Sequence, residues 1–387
     1  MYLSSRRGVA VVLLVALAAM AVSVVGASAA GEHVAKVPRA CNGLQYGHMG
    51  PLTGASAVLG QEQLDWDLLA LAQFNAAHHT NFKLVQGDDQ LNAAQGSTVA
   101  QSFASNPRIL AVVGPAGTQV VKVAGPIFAK VNLAMVSESA TDASLSNGSN
   151  PTFFRVNANN ASQAPLLYLL IQRKLKAKKV MVIDDQSPDK TELANEVARK
   201  LQAKGIEVDR ESVSQAANDF SSLVGRIDSQ TSVVLLSWQT ASQGQLFGQQ
   251  MAAQGKHATI VGANGLYSPT QFTPEGGYVA SFAPDVRFNK AAQSTVKAYV
   301  KRYGNNFGTY GPPTYVAAQV VLNAMWNVCS KGHRPTRSSV LAAIQKTHLA
   351  QTILGTPLSF AKNGNSRSAT FFLFQIKNGK YVPATTK

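Results

Sequence analysis

The sequence predicts a protein of the α/β class with two lobes. Short runs rich in β-branched residues alternate with longer amphipathic runs, a pattern typical of successive βαβ units and a parallel sheet. The chain has 387 residues, and about 358 remain without an export leader, which is more than one hydrophobic core usually holds. Polar turns rich in Gly, Ser and Thr follow several β-rich runs. Such turns lie at the carboxyl ends of parallel strands, where open α/β sheets bind ligands.

Residues 1–29 are predicted to form a signal peptide. Arg6 and Arg7 precede an uncharged apolar run from Val9 to Val25, and the small residues at 27–29 follow at a spacing that suits a signal peptidase. The run is also long enough to be a short membrane anchor, and that alternative stays open. Both interpretations place the remaining chain outside the cytoplasm, in the periplasm or at the cell surface.

Seven strands are predicted from short runs of β-branched and aromatic residues bounded by turn formers. In chain order they are Leu44 to Met49, Phe82 to Gln86, Ile109 to Gly114, Leu133 to Ser137, Val180 to Asp184, Ser232 to Ser237 and Thr259 to Gly262. Their number and spacing favour two parallel sheets.

Three helices are predicted from apolar residues at helical spacing. The first lies between the first two strands, with Leu64 and Leu71 on one face. The second runs from Glu192 to Lys204 and ends before Gly205, because glycine adopts the left-handed cap conformation without side-chain strain. The third spans about Tyr315 to Val328, where every third or fourth residue is apolar.

Two hydroxyl-rich turns are candidates for a ligand site. The turn Gly114 to Gln119 follows a strongly apolar strand and precedes a helix, and Ser137 to Asp142 follows the next strand. Each alone is equally an ordinary strand-helix turn. Together at one sheet edge they favour a site for a carboxylate, since helix N-termini offer free N–H groups and a positive dipole end.

Catalytic chemistry finds little support in the sequence. No metal-ligand spacing, P-loop or nucleophile elbow occurs. The pair His78 and His79 lies at a helix end, where solvent exposure is the simpler interpretation. The acidic pairs at 88–89 and 184–185 follow strands, where capping of the next turn is favoured. We therefore expect a protein that is not an enzyme and holds neither cofactor nor metal.

The formal charge of +15 does not indicate a nucleic-acid partner. Removal of Arg6 and Arg7 with the leader still leaves a strongly basic chain. The densest basic run, Arg173 to Lys179, lies at a helix end before a strand and lacks interleaved aromatic residues. A solvated helix end explains it better, although attraction to anionic wall or membrane polymers stays open.

The chain contains two cysteines, Cys41 and Cys329. Both follow the predicted leader, and a lone pair outside the cytoplasm tends to oxidise. We expect a disulfide between them, with two buried thiols as the alternative.

An ordered set of motifs resembles the leucine/isoleucine/valine-binding type of periplasmic binding protein. Gly50 to Gly54, with Gly60 and a long helix, is similar to that family's opening. Further matches in the same order are Val113 to Pro115, Val136 to Thr141, Phe154 to Val156, Asp185 to Pro188, Asp219 to Leu223 and Gly355 to Lys377.

The resemblance implies two Rossmann-like lobes joined by three hinge crossings, with the ligand cleft between them. On that template residues 42–156 and 283–355 form lobe 1, and residues 157–282 and 356–387 form lobe 2. Both cysteines then lie in lobe 1.

The resemblance also implies which residues bind. The ligand's carboxylate is expected on Gly117 and Thr118 and on the turn Ser139, Ala140 and Thr141. The Thr141 hydroxyl matches a position that helps hold an ammonium group.

Three further site positions depart from the family pattern. Asn264 stands where an acidic residue commonly pairs with the ligand's ammonium group, and an amide lacks that charge. Asp189 stands where a tyrosine is frequent, and Leu59 where an aromatic residue often covers the ligand. Trp238 is then expected to be the remaining aromatic wall.

The function implied is an exported, monomeric solute-binding protein. It captures a small carboxylate-bearing ligand, with branched-chain amino acids as the first candidates, and delivers it to the permease subunits of an ABC transporter. Two alternatives stay open: a ligand-sensing regulator of the same fold, and a wall-associated protein whose basic surface binds an anionic polymer.

Overall fold

The computed structural model describes residues 37–386. The predicted signal peptide, and the anchor that is its alternative, lie outside the described residues. Within residues 37–386 no helix has the length and apolar content needed to cross a bilayer.

A five-stranded parallel sheet forms the centre of the first lobe, in the order β2-β1-β3-β4-β5. Its strands are β1 (Gln45–Gly50), β2 (Lys83–Asp88), β3 (Ile109–Val113), β4 (Ala134–Ser137) and β5 (Phe153–Arg155). The helices of this lobe are α1 (Ala57–His78), α2 (Ala93–Ser105) and α3 (Thr118–Ala129).

A seven-stranded sheet forms the centre of the second lobe. Its strands are β6 (Lys179–Asp184), β7 (Glu207–Ser212), β8 (Thr231–Ser237), β9 (Thr259–Gly262), β10 (Tyr278–Ser281), β13 (Phe372–Lys377) and β14 (Lys380–Ala384). Its helices are α4 (Asn160–Leu169, continued by a π-turn), α5 (Pro188–Gln202), α6 (Ser221–Gly225) and α7 (Ala241–Ala253). The sheet order is β14-β13-β10-β9-β8-β6-β7, parallel except at β13 and β14.

The chain crosses between the lobes three times. It leaves the first sheet after β5, returns after β10, and crosses again before β13. Between the last two crossings it adds the remaining elements to the first lobe, namely α8 (Gln293–Tyr303), α9 (Gly311–Cys329), α10 (Arg337–Gln345) and the short pair β11 (His348–Leu349) and β12 (Leu358–Ser359). The two-lobed α/β fold is therefore confirmed, while the residue-level lobe boundaries stay a prediction.

Packing of α1 against α9 forms part of the core of the first lobe. Trp66 of α1 is buried and stacks on Tyr299, with ring centroids 4.2 Å apart. Phe307 and Tyr315 meet the same indole edge-on. Burial of these large rings contributes about 1.5 to 3 kcal/mol each relative to exposure. Cys41 and Cys329 are joined in a disulfide that ties residues 39–41 to the end of α9.

Most predicted elements lie within two residues of their observed bounds, but two helices begin four residues earlier than predicted: α9 begins at Gly311 and not at Tyr315, and α5 also begins early. It begins at Pro188 and not at Glu192, because proline fits the first position of a helix, where its missing N–H has no acceptor. The helix ends at Gln202, and Gly205 takes the left-handed conformation with φ +71°. Asp189 and Lys190 therefore lie on the first turn of a helix.

Candidate functional site

A cleft of about 410 Å³ lies where the two lobes face each other. Its walls come from both lobes and consist of Ser56, Leu59, Leu91, Ala116, Gly117, Thr118, Ser139, Asp189, Lys190, Gln239, Asn264, Gly265 and Tyr310. An adjoining hollow of about 650 Å³ shares five of these residues and adds Glu62. Most of the lining residues lie on turns that follow strands or on the first turns of helices.

The turn between β3 and α3 forms one wall. Gly114 has φ +101°, and a Cβ there would lie 2.1 Å from the Met49 carbonyl oxygen, so a side chain is excluded. Gly117 is the N-cap and Thr118 the first residue of α3. Thr118 is only 1% exposed, and its hydroxyl oxygen accepts from Asp142 N–H at 3.4 Å. Val120 N–H donates to the Gly117 carbonyl at 3.1 Å, so the groups that remain available to a ligand are the Thr118 hydroxyl proton and the N–H groups of Thr118 and Gln119.

The turn after β4 is bound to the turn after β3. The Ser139 hydroxyl donates to the Ala116 carbonyl at 2.9 Å and accepts from Gln63 Nε2 at 3.2 Å. The Ser137 hydroxyl donates to the Pro115 carbonyl at 2.7 Å. These contacts give the two hydroxyl-rich turns one fixed arrangement.

Arg155, which was not predicted as a site residue, supports the second turn from the side away from the cleft. Its side chain is completely buried and donates to the carbonyl oxygens of Ala140 and Asp142 at 3.1 and 2.8 Å. It also donates to Ser146 Oγ and Asn365 Oδ1. Burial lowers the pKa of this guanidinium to about 10. In the sequence, the position of this arginine at the end of an apolar strand was the feature that could have indicated its role.

The second lobe contributes a cluster of bonded polar groups. Lys190 Nζ lies 2.8 Å from Asp189 Oδ2 and donates to Asn264 Oδ1 at 3.0 Å. Gln239 Nε2 donates to Asp189 Oδ1 at 3.1 Å. Lys190 and Gln239 were not predicted as site residues, because the helix was expected to start later and nothing in the sequence marks Gln239.

Several hydrogen bonds join the two lobes, among them one from Ala143 N–H to the Glu192 carboxylate at 3.3 Å, and two of them lie at the cleft. The Thr141 hydroxyl donates to Asp189 Oδ2 at 3.0 Å, and the Tyr310 hydroxyl donates to the Asn264 carbonyl at 3.1 Å. Burial, followed by the nearby Asp189 charge, raises the pKa of Tyr310 well above its ordinary value. Tyr310 is therefore a neutral donor at physiological pH.

The structure brings together most of the residues predicted from the sequence. Gly117, Thr118, Ser139, Asp189 and Asn264 all line the cleft, as does Leu59. The side chains at 140 and 141 are buried beside it.

The expected role of Trp238 needs correction. The side chain is 0% exposed and does not line the cleft. It packs on Phe220 and Phe247 in the core of the second lobe, with ring centroids 4.8 and 5.6 Å away. Trp238 directly follows a buried strand, and its indole points into the core of the lobe. The aromatic side chain that lines the cleft is Tyr310.

The sequence model of the family described as periplasmic binding protein matches residues 44–380. The chain belongs to the periplasmic binding protein family. It is 26% identical over 338 residues to Leu/Ile/Val-binding protein homolog 1 of Brucella abortus (strain 2308), an alignment that covers 85% of this chain and 89% of the relative.

Solved structures of periplasmic binding proteins share the fold. A branched-chain amino acid transporter substrate-binding protein from Streptococcus pneumoniae, in complex with isoleucine, has a TM-score of 0.78 at 20% identity, covering 89% of this chain and 100% of its own. A solute-binding protein of an ABC transporter from R. palustris, in complex with benzoate, has a TM-score of 0.77 at 17% identity, covering 89% and 96%. The fold thus accommodates carboxylic acids with and without an amino group.

A group of buried acids lies directly behind the cleft of this periplasmic binding protein. Burial raises the pKa of Glu138 to about 8 and that of Asp89 to about 6. Asp67 accepts from the Tyr46 hydroxyl at 2.5 Å and lies 2.8 Å from His48 Nδ1. Across residues 37–386 no group of three or more His, Cys, Asp or Glu side chains is arranged to hold a metal ion.

The acidic pairs at the strand ends stabilise turns of this binding protein. Asp88 accepts from the N–H groups of Leu52 and Thr53 at 2.9 and 3.2 Å. Asp185 accepts from the Ser187 and Gln239 N–H groups at 3.1 and 2.6 Å. These carboxylates accept hydrogen bonds from backbone N–H groups, as expected for capping residues.

Proposed function

We propose that this chain is an extracytoplasmic solute-binding protein that captures a small carboxylate-bearing ligand by closure of its two lobes. One observation carries the proposal. Thr118, at the N-terminus of α3, and Ser139, on the neighbouring turn, line the same cleft as Asp189 and Asn264 of the opposite lobe. A ligand held by one pair is within reach of the other.

The first-lobe wall suits a carboxylate. The opening turn of α3 supplies the N–H groups of Thr118 and Gln119, which have no intrahelical acceptor, together with the positive end of the helix dipole. Thr118 adds a hydroxyl, and Ser139 is fixed beside it. Leu59 and Leu91 give apolar surface for the rest of the solute.

The mechanism follows from the position of the polar groups. A solute first bound by Thr118 and the α3 N-terminus leaves the second lobe free to swing about the three crossings. Closure then brings Asp189, Asn264 and Gln239 against it, as in other hinged two-lobed binding proteins. The cross-cleft bond from Thr141 to Asp189 favours the closed arrangement. Release requires that this bond and the ligand contacts break together.

The relatives support a role in transport. The S. pneumoniae protein is described as a transporter substrate-binding protein and the R. palustris protein as a solute-binding protein of an ABC transporter, and their ligands, isoleucine and benzoate, share a carboxylate. Together with the predicted export signal, this supports delivery of the solute to the permease subunits of an ABC-type transporter. The lining contains no nucleophile paired with a base, so we propose a binding protein and not an enzyme.

Titration calorimetry against a panel of amino acids, amides and aromatic acids tests the proposal. We expect one-to-one binding of at least one carboxylic acid, and a ten- to hundredfold weaker affinity for it in Thr118→Val, because a hydrogen bond to a charged group is lost. Thr118→Ser keeps the hydroxyl and is the matched control. Unchanged affinity in Thr118→Val would contradict this site. Stabilisation by an anionic polymer but by no small ligand would favour the wall-associated alternative.

A further inference from the structure

Lys190 is the one lysine among the residues that line the cleft within the described chain. It lies on the first turn of α5 and is only 2% exposed. A buried ammonium group is costly unless it is paired and hydrogen-bonded. The groups that pair with and hydrogen-bond to the Lys190 ammonium are therefore structural parts of the site.

Two of the three protons of this ammonium group have acceptors in the structure. One is directed to Asp189 Oδ2 at 2.8 Å and one to Asn264 Oδ1 at 3.0 Å. No third acceptor is present among the described residues. Since the residue lines the cleft, the remaining N–H can donate to a solute.

Each acceptor oxygen that Asp189 and Asn264 present on the second-lobe wall already receives at least one donor from the protein. Asp189 Oδ2 receives both Lys190 and the Thr141 hydroxyl, and Asp189 Oδ1 receives Gln239 Nε2. Asn264 Oδ1 receives Lys190. A solute with an ammonium group would need one of these oxygens and would place a second positive charge beside Lys190, which like-charge repulsion disfavours.

We propose that Lys190 supplies from within the protein the positive charge that an amino-acid ligand would bring, so that the cleft selects a small carboxylic acid without an α-ammonium group. The third N–H of Lys190 donates to this acid. The inference rests on the proposed function, because it names the ligand class of the same cleft. Leu59, Leu91 and Tyr310 give the acid's hydrocarbon part an apolar and aromatic surface.

Glu62 offers the main rival interpretation. It is the carboxylate of the adjoining hollow, and its oxygens accept from the N–H groups of Gly308 and Gly311 at 2.9 and 2.7 Å. Burial raises its pKa. If Glu62 bound a ligand ammonium, amino acids would be preferred in spite of Lys190.

Matched ligand pairs test the inference on the wild-type protein. Calorimetry would compare L-leucine with 4-methylpentanoate, and L-phenylalanine with 3-phenylpropanoate. We expect the amine-free member of a pair to bind at least tenfold more tightly. Equal or tighter binding of the amino acid would overturn the inference and leave the proposed function intact. Binding of neither member, in these pairs and in the larger panel of acids, would count against both.

Lys190→Met provides a second test, because methionine keeps most of the length and removes the charge. We expect the preference to reverse: affinity for the amine-free acid should fall on the order of ten- to hundredfold. Affinity for the amino acid should rise, since the oxygens of Asp189 and Asn264 are released. Loss of affinity for both members equally would indicate a merely structural role and would contradict the inference. Lys204→Met, at an exposed position just beyond α5, is the control and should change neither affinity.

Discussion

The Thr141 hydroxyl in the first lobe donates to the Asp189 carboxylate in the second at 3.0 Å. This bond connects the two halves of the cleft directly. Asp189 is held in turn by Lys190 and Gln239, so the donor from the first lobe meets a carboxylate of fixed orientation. In the proposed mechanism this contact forms when the lobes close and so couples closure to binding.

Thr141→Val should weaken ligand affinity by shifting the chain towards the open arrangement. Valine keeps the shape and removes a hydrogen bond made only when the lobes are together, so we expect a loss of about tenfold. Small-angle X-ray scattering should show a larger radius of gyration for the unliganded variant. Thr98→Val, on the exposed face of α2, is the control. An unchanged radius and affinity would show that this bond does not contribute to closure.

Arg155→Lys should destabilise the first lobe and weaken binding. Lysine lacks the planar guanidinium whose N–H groups donate to the carbonyl oxygens of Ala140 and Asp142, so it leaves buried acceptors unpaired. The free energy of unfolding should fall by about 3 kcal/mol, measured by urea denaturation. Arg367→Lys, at an exposed position, should change it by less than about 0.5 kcal/mol. Equal losses in the two variants would contradict the role given to Arg155.

Glu138 should make stability depend on pH. Burial raises the pKa of its carboxyl from 4.5 to about 8, so the folded protein holds this proton more tightly than the unfolded chain. The contribution of Glu138 to the free energy of unfolding is fully present below about pH 4.5. It is lost as the pH rises towards 8, by at most about 1.4 kcal/mol per pH unit.

Replacing Glu138 by glutamine should therefore flatten the decline in stability. Urea midpoints of the wild type and Glu138→Gln would be compared at several pH values between about 5 and 8. The variant should still show a smaller decline in stability as the pH rises, because the pKa of Asp89 is raised to about 6. Parallel curves for the two proteins would show that Glu138 is ionised in the folded state.

The disulfide between Cys41 and Cys329 should be present in the native protein and should stabilise it. Alkylation after denaturation without reductant should label no thiol. The double variant Cys41→Ser/Cys329→Ser should lose up to about 5 kcal/mol of unfolding free energy, because the link closes a loop of 288 residues. Ready labelling of both thiols would favour the alternative of two buried free cysteines.

The sequence predicts most of the buried parallel strands, but it misses the interior strand β10 and the edge strands β5, β7 and β14. The apolar runs at 109–113 and 180–184 are buried on both faces, so composition alone marks them. Strand β7 was not predicted, because an edge strand with charged and half-buried residues has no apolar period. Strands β13 and β14 pair antiparallel at the opposite edge, a reversal that the alternating pattern does not indicate.

The candidate site was predicted where local turns form it and missed where long-range packing does. Thr118 and Ser139 follow strands, and their turn chemistry is visible in the sequence. Lys190 and Tyr310 reach the cleft from segments far apart in the chain, so no local pattern marks them. Trp238 was misplaced because the direction of a side chain at a strand end depends on which face the core covers.

The identity of the small molecule carried by the native protein tests the central claim most directly. Native mass spectrometry of protein isolated without denaturation, followed by identification of the released solute, should find one small carboxylic acid per chain. The same preparation of Thr118→Val should carry less of it. A sugar, a polyamine or another solute without a carboxylate, bound one to one and retained in Thr118→Val, would contradict the account.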